Sequence, residues 1–248
     1  MTYGALPTWQ DIVNGLGHTT DGTLREHGIF HKTAVVTMPS TLNFLEAATL
    51  TCSGLTAWNA LFGLEGKAPQ TGSSVLVQGT GGVSIAALQF AIAAGAEVIA
   101  TTSSDQKAER LKSLGAKDVL NYRNEPDWGE VTKRSKTEGR GVGIVVDVGG
   151  ASTLSQSLKA VTVNGVVAAS GLLGESPHGK VPTILDTIFA TCIARGILLG
   201  SRKQFDEMNR FVEKHNIKPL LDDKIFDFAE MKEAFQFMSE QKIGRAHV

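Results

Sequence analysis

Ser74-Val-Leu-Val-Gln78-Gly79-Thr80-Gly81-Gly82-Val83-Ser84-Ile-Ala-Ala-Leu88 decides the fold of this 248-residue chain. Val75-Leu76-Val77 is a short apolar run of strand length, and Ile85-Ala-Ala-Leu88 opens an Ala-rich segment of helical character. Between them lies Gly79-x-Gly81-Gly82-x-Ser84. A strand that enters a glycine turn and leaves as a helix places free backbone N–H groups, and the positive end of the helix dipole, at the turn. Gly79 permits the tight turn, and Gly81 lets a pyrophosphate approach the backbone. Thr80, Gly82 and Val83 bring further N–H groups to the same place. The third fingerprint position is Ser84, a departure from glycine that is still small enough for close helix–strand contact. An ordinary tight turn also needs glycine, so the surrounding strand–turn–helix frame carries the argument.

The frame repeats downstream. Val98–Thr101, Val119-Leu120, Ile144–Val146 and Val166–Ala168 are short apolar runs separated by Ala/Leu/Lys segments with helical spacing. Such runs read as strands buried on both faces, and strand–helix alternation over more than about 100 residues reads as repeated βαβ units. Helices are expected near 82–94, 105–114, 127–137, 151–160, 182–192, 203–215 and 228–240, with Asp105 as the N-cap candidate of the second and Gly115 at its C′ position. Earlier, a helix start is expected at Leu42–Ala48 and a helix over Ser53–Leu64. Residues 1–35 have weak periodicity, and Thr33–Thr37 is strand-like.

The second expected strand, Glu97–Thr101, ends roughly 20 residues past Gly79, where an NAD site places a carboxylate for the ribose. Here stand Thr101-Thr102-Ser103-Ser104, with Lys107 and Arg110 beyond. Neutral hydroxyls followed by cations accept a 2′-phosphate, which favours NADP(H); Ser103, Ser104 and Asp105 could equally cap a helix. Gly149-Gly150 follows the strand at 143–147, Ser170-Gly171 the strand at 165–169, and Gly200-Ser201-Arg202 an expected strand at 196–199. Open α/β sheets bind ligands at such carboxyl ends. Glycine, 27 of 248 residues, is roughly 11% against a usual level of about 7%. The surplus concentrates at this crevice.

Composition removes other classes. Twenty-four Lys and Arg against 25 Asp and Glu leave a net charge of −1, so no basic field holds a nucleic acid. Two distant cysteines build neither a disulfide framework nor a zinc ribbon. No secretory signal and no apolar run of about 18 residues is visible, so a soluble cytoplasmic protein is expected, without membrane partners. The proton-transfer pair of short-chain dehydrogenases, Tyr with Lys four residues on, is missing: Pro7 and Pro126 follow Tyr3 and Tyr122 at that spacing. Neither a Gly-x-Ser-x-Gly elbow nor a P-loop occurs.

Val75–Ser84 resembles the medium-chain dehydrogenase/reductase superfamily, in its zinc-type alcohol dehydrogenase-like and quinone reductase-like branches. Glu46–Trp58, Leu114–Tyr122, Val145–Gly150 and the terminal Gly244–Val248 are similar to further blocks of that family. The resemblance implies a doubly wound parallel α/β sheet, the Rossmann fold, preceded by a truncated remnant of a GroES-like β domain. It implies a remnant with linking helices at 1–66, a dinucleotide-binding domain at 67–205, and C-terminal helices with a closing strand at 206–248. Asp21–His27 looks like one of the last strands of the β domain. By resemblance, Gly79–Val83 bind the pyrophosphate, Ser103, Ser104, Lys107 and Tyr122 the phosphorylated adenosine, and Gly149, Ser170, Gly171, Ser201 and Arg202 the rest of NADP(H). The implied reaction is hydride transfer on a small carbonyl, enone or quinone, in a homodimer.

No metal site is expected. Cys52 matches the position of a catalytic zinc ligand in true zinc members, but zinc takes about three protein ligands, and a buried structural cysteine is the expectation. His27 and His31 could share one face of a strand. The alternative reading is a non-redox enzyme, for a cyclisation, isomerisation or dehydration, or a binding module. Cys52, His18, His27 and Asp147 are then candidates for acid/base work.

Overall fold

The computed structural model describes residues 3–171 and 181–239. The expected closing strand at Gly244–Val248 lies outside them. The described chain opens with a short helix, α1 (Trp9–Val13), followed by α2 (Phe44–Ala48) and α3 (Leu55–Phe62). Then come β1 (Ser74–Gln78), α4 (Gly82–Ala93), β2 (Glu97–Thr102), α5 (Asp105–Ser113), β3 (Asp118–Asn121) and α6 (Trp128–Val131). They are followed by β4 (Val142–Asp147), α7 (Leu154–Ala160), β5 (Val161–Ala169), α8 (Asp186–Ala190), β6 (Ile193–Gly196), α9 (Arg202–Lys214) and α10 (Met231–Ser239).

The strands form one parallel sheet in the order β3-β2-β1-β4-β5-β6. The order reverses between β1 and β4, the switch point at which open α/β sheets leave a crevice. The reason is visible in the side chains. Val75 and Val77 enter the core shared with α3, α4 and α9, whereas Leu76 enters the core on the opposite face with Ile99, Leu120 and Trp128. Period-2 alternation with apolar residues at every position can be satisfied only between two helical layers. On the first face Trp58 stacks on Phe62, with ring centroids 4.2 Å apart, and meets Phe90 and Phe211, so α3, α4 and α9 share one aromatic contact.

Helix starts follow capping chemistry. Asn43 and Glu46 form a reciprocal capping box on α2, and Ser201 and Gln204 form one on α9. Several expectations are corrected. The helix expected over 53–64 starts with a π-helical turn, Leu50–Gly54, and the one expected over 127–137 becomes α6 plus a second π turn, Thr132–Lys136. The helix expected at 182–192 is shortened to α8, because Thr191 adopts a left-handed φ of 49°. The strand expected at 196–199 is instead β6, Ile193–Gly196, the last strand among the described residues, since Leu199 also turns left-handed, at φ 53°.

The N-terminal expectation fails more widely. Thr33–Thr37 is no strand: a 3₁₀ turn covers Lys32–Ala34, and Asp21–His27 has no ladder partner among the described residues. An extended segment with no neighbour leaves its N–H and C=O groups to water and has no reason to stay extended. His27 and His31 therefore share no strand face, and both are exposed. Among the described residues, no helix is long and apolar enough to cross a membrane.

Candidate functional site

The glycine turn sits at the carboxyl end of β1, beside the switch point. Gly79 has φ 76°, a region that costs a residue with a side chain about 1–2 kcal/mol, and its N–H donates to the Thr101 carbonyl at 2.7 Å. Gly81 caps α4 in extended geometry, φ −75° and ψ 167°, and supplies no side-chain cap. Its φ is open to any residue. A Cβ added at Gly79 or Gly81 would meet no protein atom within 4 Å. The turn therefore faces open space, with the first amides of a twelve-residue helix left without a side-chain acceptor. Ser84 closes the motif from behind: buried, it donates its hydroxyl hydrogen to the Gln78 carbonyl at 2.6 Å and ties α4 to the end of β1.

A buried polar cluster forms the floor. The Asp147 carboxylate, with no solvent exposure, accepts from the Ser157 hydroxyl at 2.5 Å, the Thr153 hydroxyl at 2.8 Å, the Gly150 N–H at 2.8 Å and the Gln78 amide at 3.2 Å. The Gln78 side-chain carbonyl in turn accepts the N–H groups of Val148 and Gly149 at 3.1 and 3.3 Å. Every group is satisfied, so the loop after β4 is held to β1 across the switch point. Asp147, a sequence candidate for acid/base work, is thereby engaged in holding the floor. Gln78, Ser157 and Thr153 were not singled out from sequence. The available signal was Gln78 itself, an amide ending an otherwise apolar strand.

The turns after β4 and β5 lie against each other. A Cβ on Gly171 would stand 2.3 Å from the Val148 carbonyl oxygen, and one on Gly150 would stand 2.5 Å from the Gly171 oxygen. Only glycine fits this approach. Ser170 joins the same contact, its N–H donating to the Asp147 carbonyl at 2.8 Å. Above the floor opens a cleft of about 810 Å³, walled by Gln78, Gly79, Thr101, Tyr122, Trp128 and Gly149 among others.

At the end of β2, Ser104 and not Asp105 is the N-cap of α5, because its hydroxyl accepts the Lys107 N–H at 3.4 Å while Asp105 is already the first helical residue. Ser103 is half-buried beside it. The Asp105 carboxylate is turned to β3, where it accepts from the Asn121 amide at 3.0 Å. Lys107 and Arg110 are exposed, and neither forms an ion pair among the described residues. Ser201 and Arg202 lie apart from the cleft lining. The Ser201 hydroxyl is buried as the cap of α9, and the Arg202 guanidinium lies 5.8 Å from the centre of the Tyr3 ring.

Cys52 is exposed, not buried as expected, because the π turn swings it outward. Its thiol borders a separate cavity of about 130 Å³, between the π turn, α4 and Pro219-Leu220, and the partial loss of water there pushes the thiol pKa up. His18 and His27 are exposed in the irregular N-terminal segment. Among the described residues, no group of three or more His, Cys, Asp or Glu is placed to hold a metal ion.

The model of the family described as zinc-binding dehydrogenase matches residues 82–214. A zinc-type alcohol dehydrogenase-like protein of Schizosaccharomyces pombe is 39% identical over 237 residues, covering 94% of this chain and 67% of its own. Another, from Leptosphaeria maculans, is 32% identical over 208 residues, covering 82% and 57%. The crystal structure of an NAD-dependent alcohol dehydrogenase superposes with a TM-score of 0.81 at 31% identity, covering 93% of this chain and 65% of that one. The chain thus spans between 57% and 67% of the length of these relatives. With the glycine turn, the 3-2-1-4-5-6 sheet and these relatives agreeing, the chain belongs to the zinc-binding dehydrogenases, within the zinc-type alcohol dehydrogenase-like part of the medium-chain dehydrogenase/reductase superfamily.

Proposed function

We propose that this chain is the coenzyme-binding part of a nicotinamide-dependent oxidoreductase that prefers NADP(H) and acts on a small carbonyl, enone or quinone without catalytic zinc. The observation that carries the reading is the glycine turn. Gly79 and Gly81 leave open space above uncapped helix amides, at the mouth of a cleft large enough for a dinucleotide half. A bound nicotinamide coenzyme would give or take a hydride. In this reading the amides of Gly79, Thr80, Gly81, Gly82 and Val83 hold the pyrophosphate. Thr101, Ser103, Ser104 and Lys107 receive the phosphorylated ribose, and Tyr122 and Gly149 flank the adenine. Ser170 and Gly171 reach the nicotinamide side, with Ser201 and Arg202 behind them. At the end of β2 stand Thr101–Ser104 hydroxyls with no carboxylate until Asp105, whose side chain is turned to Asn121; with the exposed Lys107 and Arg110, which form no ion pair among the described residues, this supports NADP(H) over NAD(H).

Titration of the purified protein with NADPH and NADH, followed by quenching of tryptophan fluorescence, tests the coenzyme. NADPH binding tighter than NADH is expected, and failure to bind either refutes the reading. Absorbance of bound NADPH is then followed on adding enones or quinones. Turnover with unchanged coenzyme would turn the assignment to a non-redox reaction.

The same reading takes a second copy of the chain as partner. The outer edge of β6 pairs with nothing among the described residues, and α8, which leads into it, exposes Ile188 and Phe189 by 67% and 88%. A free edge beside apolar side chains is a surface that invites pairing. A native mass at twice the chain mass is expected, and a monomer at micromolar concentration refutes it.

A further inference from the structure

Asn59, on the buried side of α3, joins three elements. Its carboxamide N–H donates to the Leu199 carbonyl at 2.6 Å. Its Oδ1 accepts from the Arg195 guanidinium at 2.7 Å and from the Gln204 amide at 3.0 Å, and its backbone carbonyl takes a second Arg195 bond at 2.8 Å. Asn59 is only 2% exposed, and the space is full: a Cβ on Gly63 would stand 2.0 Å from Oδ1. Arg195 reaches in from β6 and meets no carboxylate among the described residues. Burial pulls its pKa down. Gln204 also accepts the Ser201 N–H at 2.9 Å and receives the Ser201 cap in return. The network therefore grips both ends of one turn, Leu199–Gln204.

That turn needs gripping. Leu199 stands at φ 53°, which a branched side chain avoids and glycine does not. The turn leaves β6 on the carboxyl side of the sheet: the Ile197 N–H still donates to Ala169, next to Ser170 and Gly171. None of its residues lines the cleft itself; the turn meets the carboxyl end of β5, the strand that leads into Ser170 and Gly171.

We infer that Asn59 is a positioning residue: its amide N–H latches the left-handed Leu199 turn and so braces the β5 end that carries Ser170 and Gly171, while Arg195 and Gln204 hold the latch in place. The functional weight of the latch rests on the reading of the crevice as a coenzyme site; the latch itself does not. The alternative role for Asn59, as the mere neutral partner of a buried Arg195, makes an opposite demand. Asn59→Asp gives Arg195 an ion-pair partner, yet it removes the donor to Leu199 and sets a carboxylate against that carbonyl.

The test is hydrogen exchange of the peptide spanning Leu199–Phe205 in the full chain, together with NADPH titration, for Asn59→Asp, Leu199→Gly and the double variant. The latch predicts that Asn59→Asp raises exchange of the Ser201, Gln204 and Phe205 amides about tenfold and weakens NADPH binding about tenfold. It also predicts that Leu199→Gly, nearly silent alone, restores both in the double variant, because glycine adopts the turn without being held. Asn59→Asp with unchanged exchange overturns the latch, as does exchange that rises and is not restored by Leu199→Gly. If wild type binds no nicotinamide coenzyme, the crevice reading falls, and the exchange pattern still decides the latch.

Discussion

Replacing Gly81 with alanine separates two reasons for a glycine. At φ −75° and ψ 167°, with no protein atom within 4 Å of the added carbon, alanine fits the folded chain without strain. Removing glycine from the unfolded state stabilises by about 0.4–1 kcal/mol, and exchanging glycine for alanine as an N-cap costs a similar amount. The net change is near zero, and the apo melting temperature should stay within about 2 °C of wild type. The methyl group does occupy the space through which a pyrophosphate would reach the first amides of α4. Losing two charge-assisted bonds of about 1.5 kcal/mol each corresponds to roughly 100-fold in affinity, and partial relaxation leaves about 10- to 100-fold. Gly79→Ala is the control. Its φ of 76° imposes about 1–2 kcal/mol of strain, so it should melt about 2–6 °C lower. The assays are thermal melts without ligand and NADPH titration by fluorescence. Gly81→Ala that binds NADPH within twofold of wild type would refute the reasoning, because a glycine that neither the backbone nor the packing requires would then have no ligand to require it either.

Lys107→Ala should weaken NADPH binding about tenfold and leave NADH within about twofold, since a single charge-assisted contact is worth about 1.5 kcal/mol; equal losses for both coenzymes would detach Lys107 from the 2′-phosphate. Asp147→Asn turns one acceptor into a donor facing the Gln78 amide and the Ser157 hydroxyl, at a cost of about 2–4 kcal/mol, and should lower the melting temperature by about 4–15 °C. A melt unchanged within about 2 °C would show that the floor is not the anchor described. The Cys52 thiol, raised by burial, should react with iodoacetamide more slowly than a free thiol at pH 8, its rate still climbing at a pH where an ordinary thiol has levelled off; a rate matching that of glutathione contradicts this.

The part of the fold that was legible in the sequence is the part whose information is local. Val75-Leu76-Val77 had to be a strand between two layers, because no residue in it tolerates water, and the glycine turn after it had to open a helix. The start of α5 was legible for the same reason, but its cap is Ser104, one residue before the Asp105 expected. What failed depends on contacts distant in the chain. The ends of β6 and α8 are set by left-handed Leu199 and Thr191, residues whose propensity argues against that conformation. Leu199 is held there by Asn59, 140 residues earlier, and no window of sequence contains both. The exposure of Cys52 follows from a π turn that periodicity reads as plain helix. Asp147 was visible as a carboxylate at a strand end, but its four donors come from β1, the following loop and α7, so its role emerged only with the sheet assembled.

This division has a consequence for how the molecule keeps its crevice. The floor is a closed set: Gln78, Asp147, Ser157 and Thr153 satisfy one another and three loop amides, with no member left over for a ligand. The rim is the reverse: among the described residues the first α4 amides have no side-chain acceptor, the Lys107 ammonium has no ion-pair partner, and Gly79 and Gly81 face open space. A satisfied floor under an unsatisfied rim is a preorganised site, because the ligand meets donors that need no rearrangement to receive it. Residues 3–36 contrast with this, leaving Trp9 62% exposed and Ile29 wholly exposed, and contributing no residue to either buried core. Local opening should therefore be ranked, with amides of residues 10–35 exchanging first and those of β1 and β4 last, near the global limit. Protection of Val77 and Val146 no greater than that of Ile29 would mean that the sheet does not hold the crevice by itself.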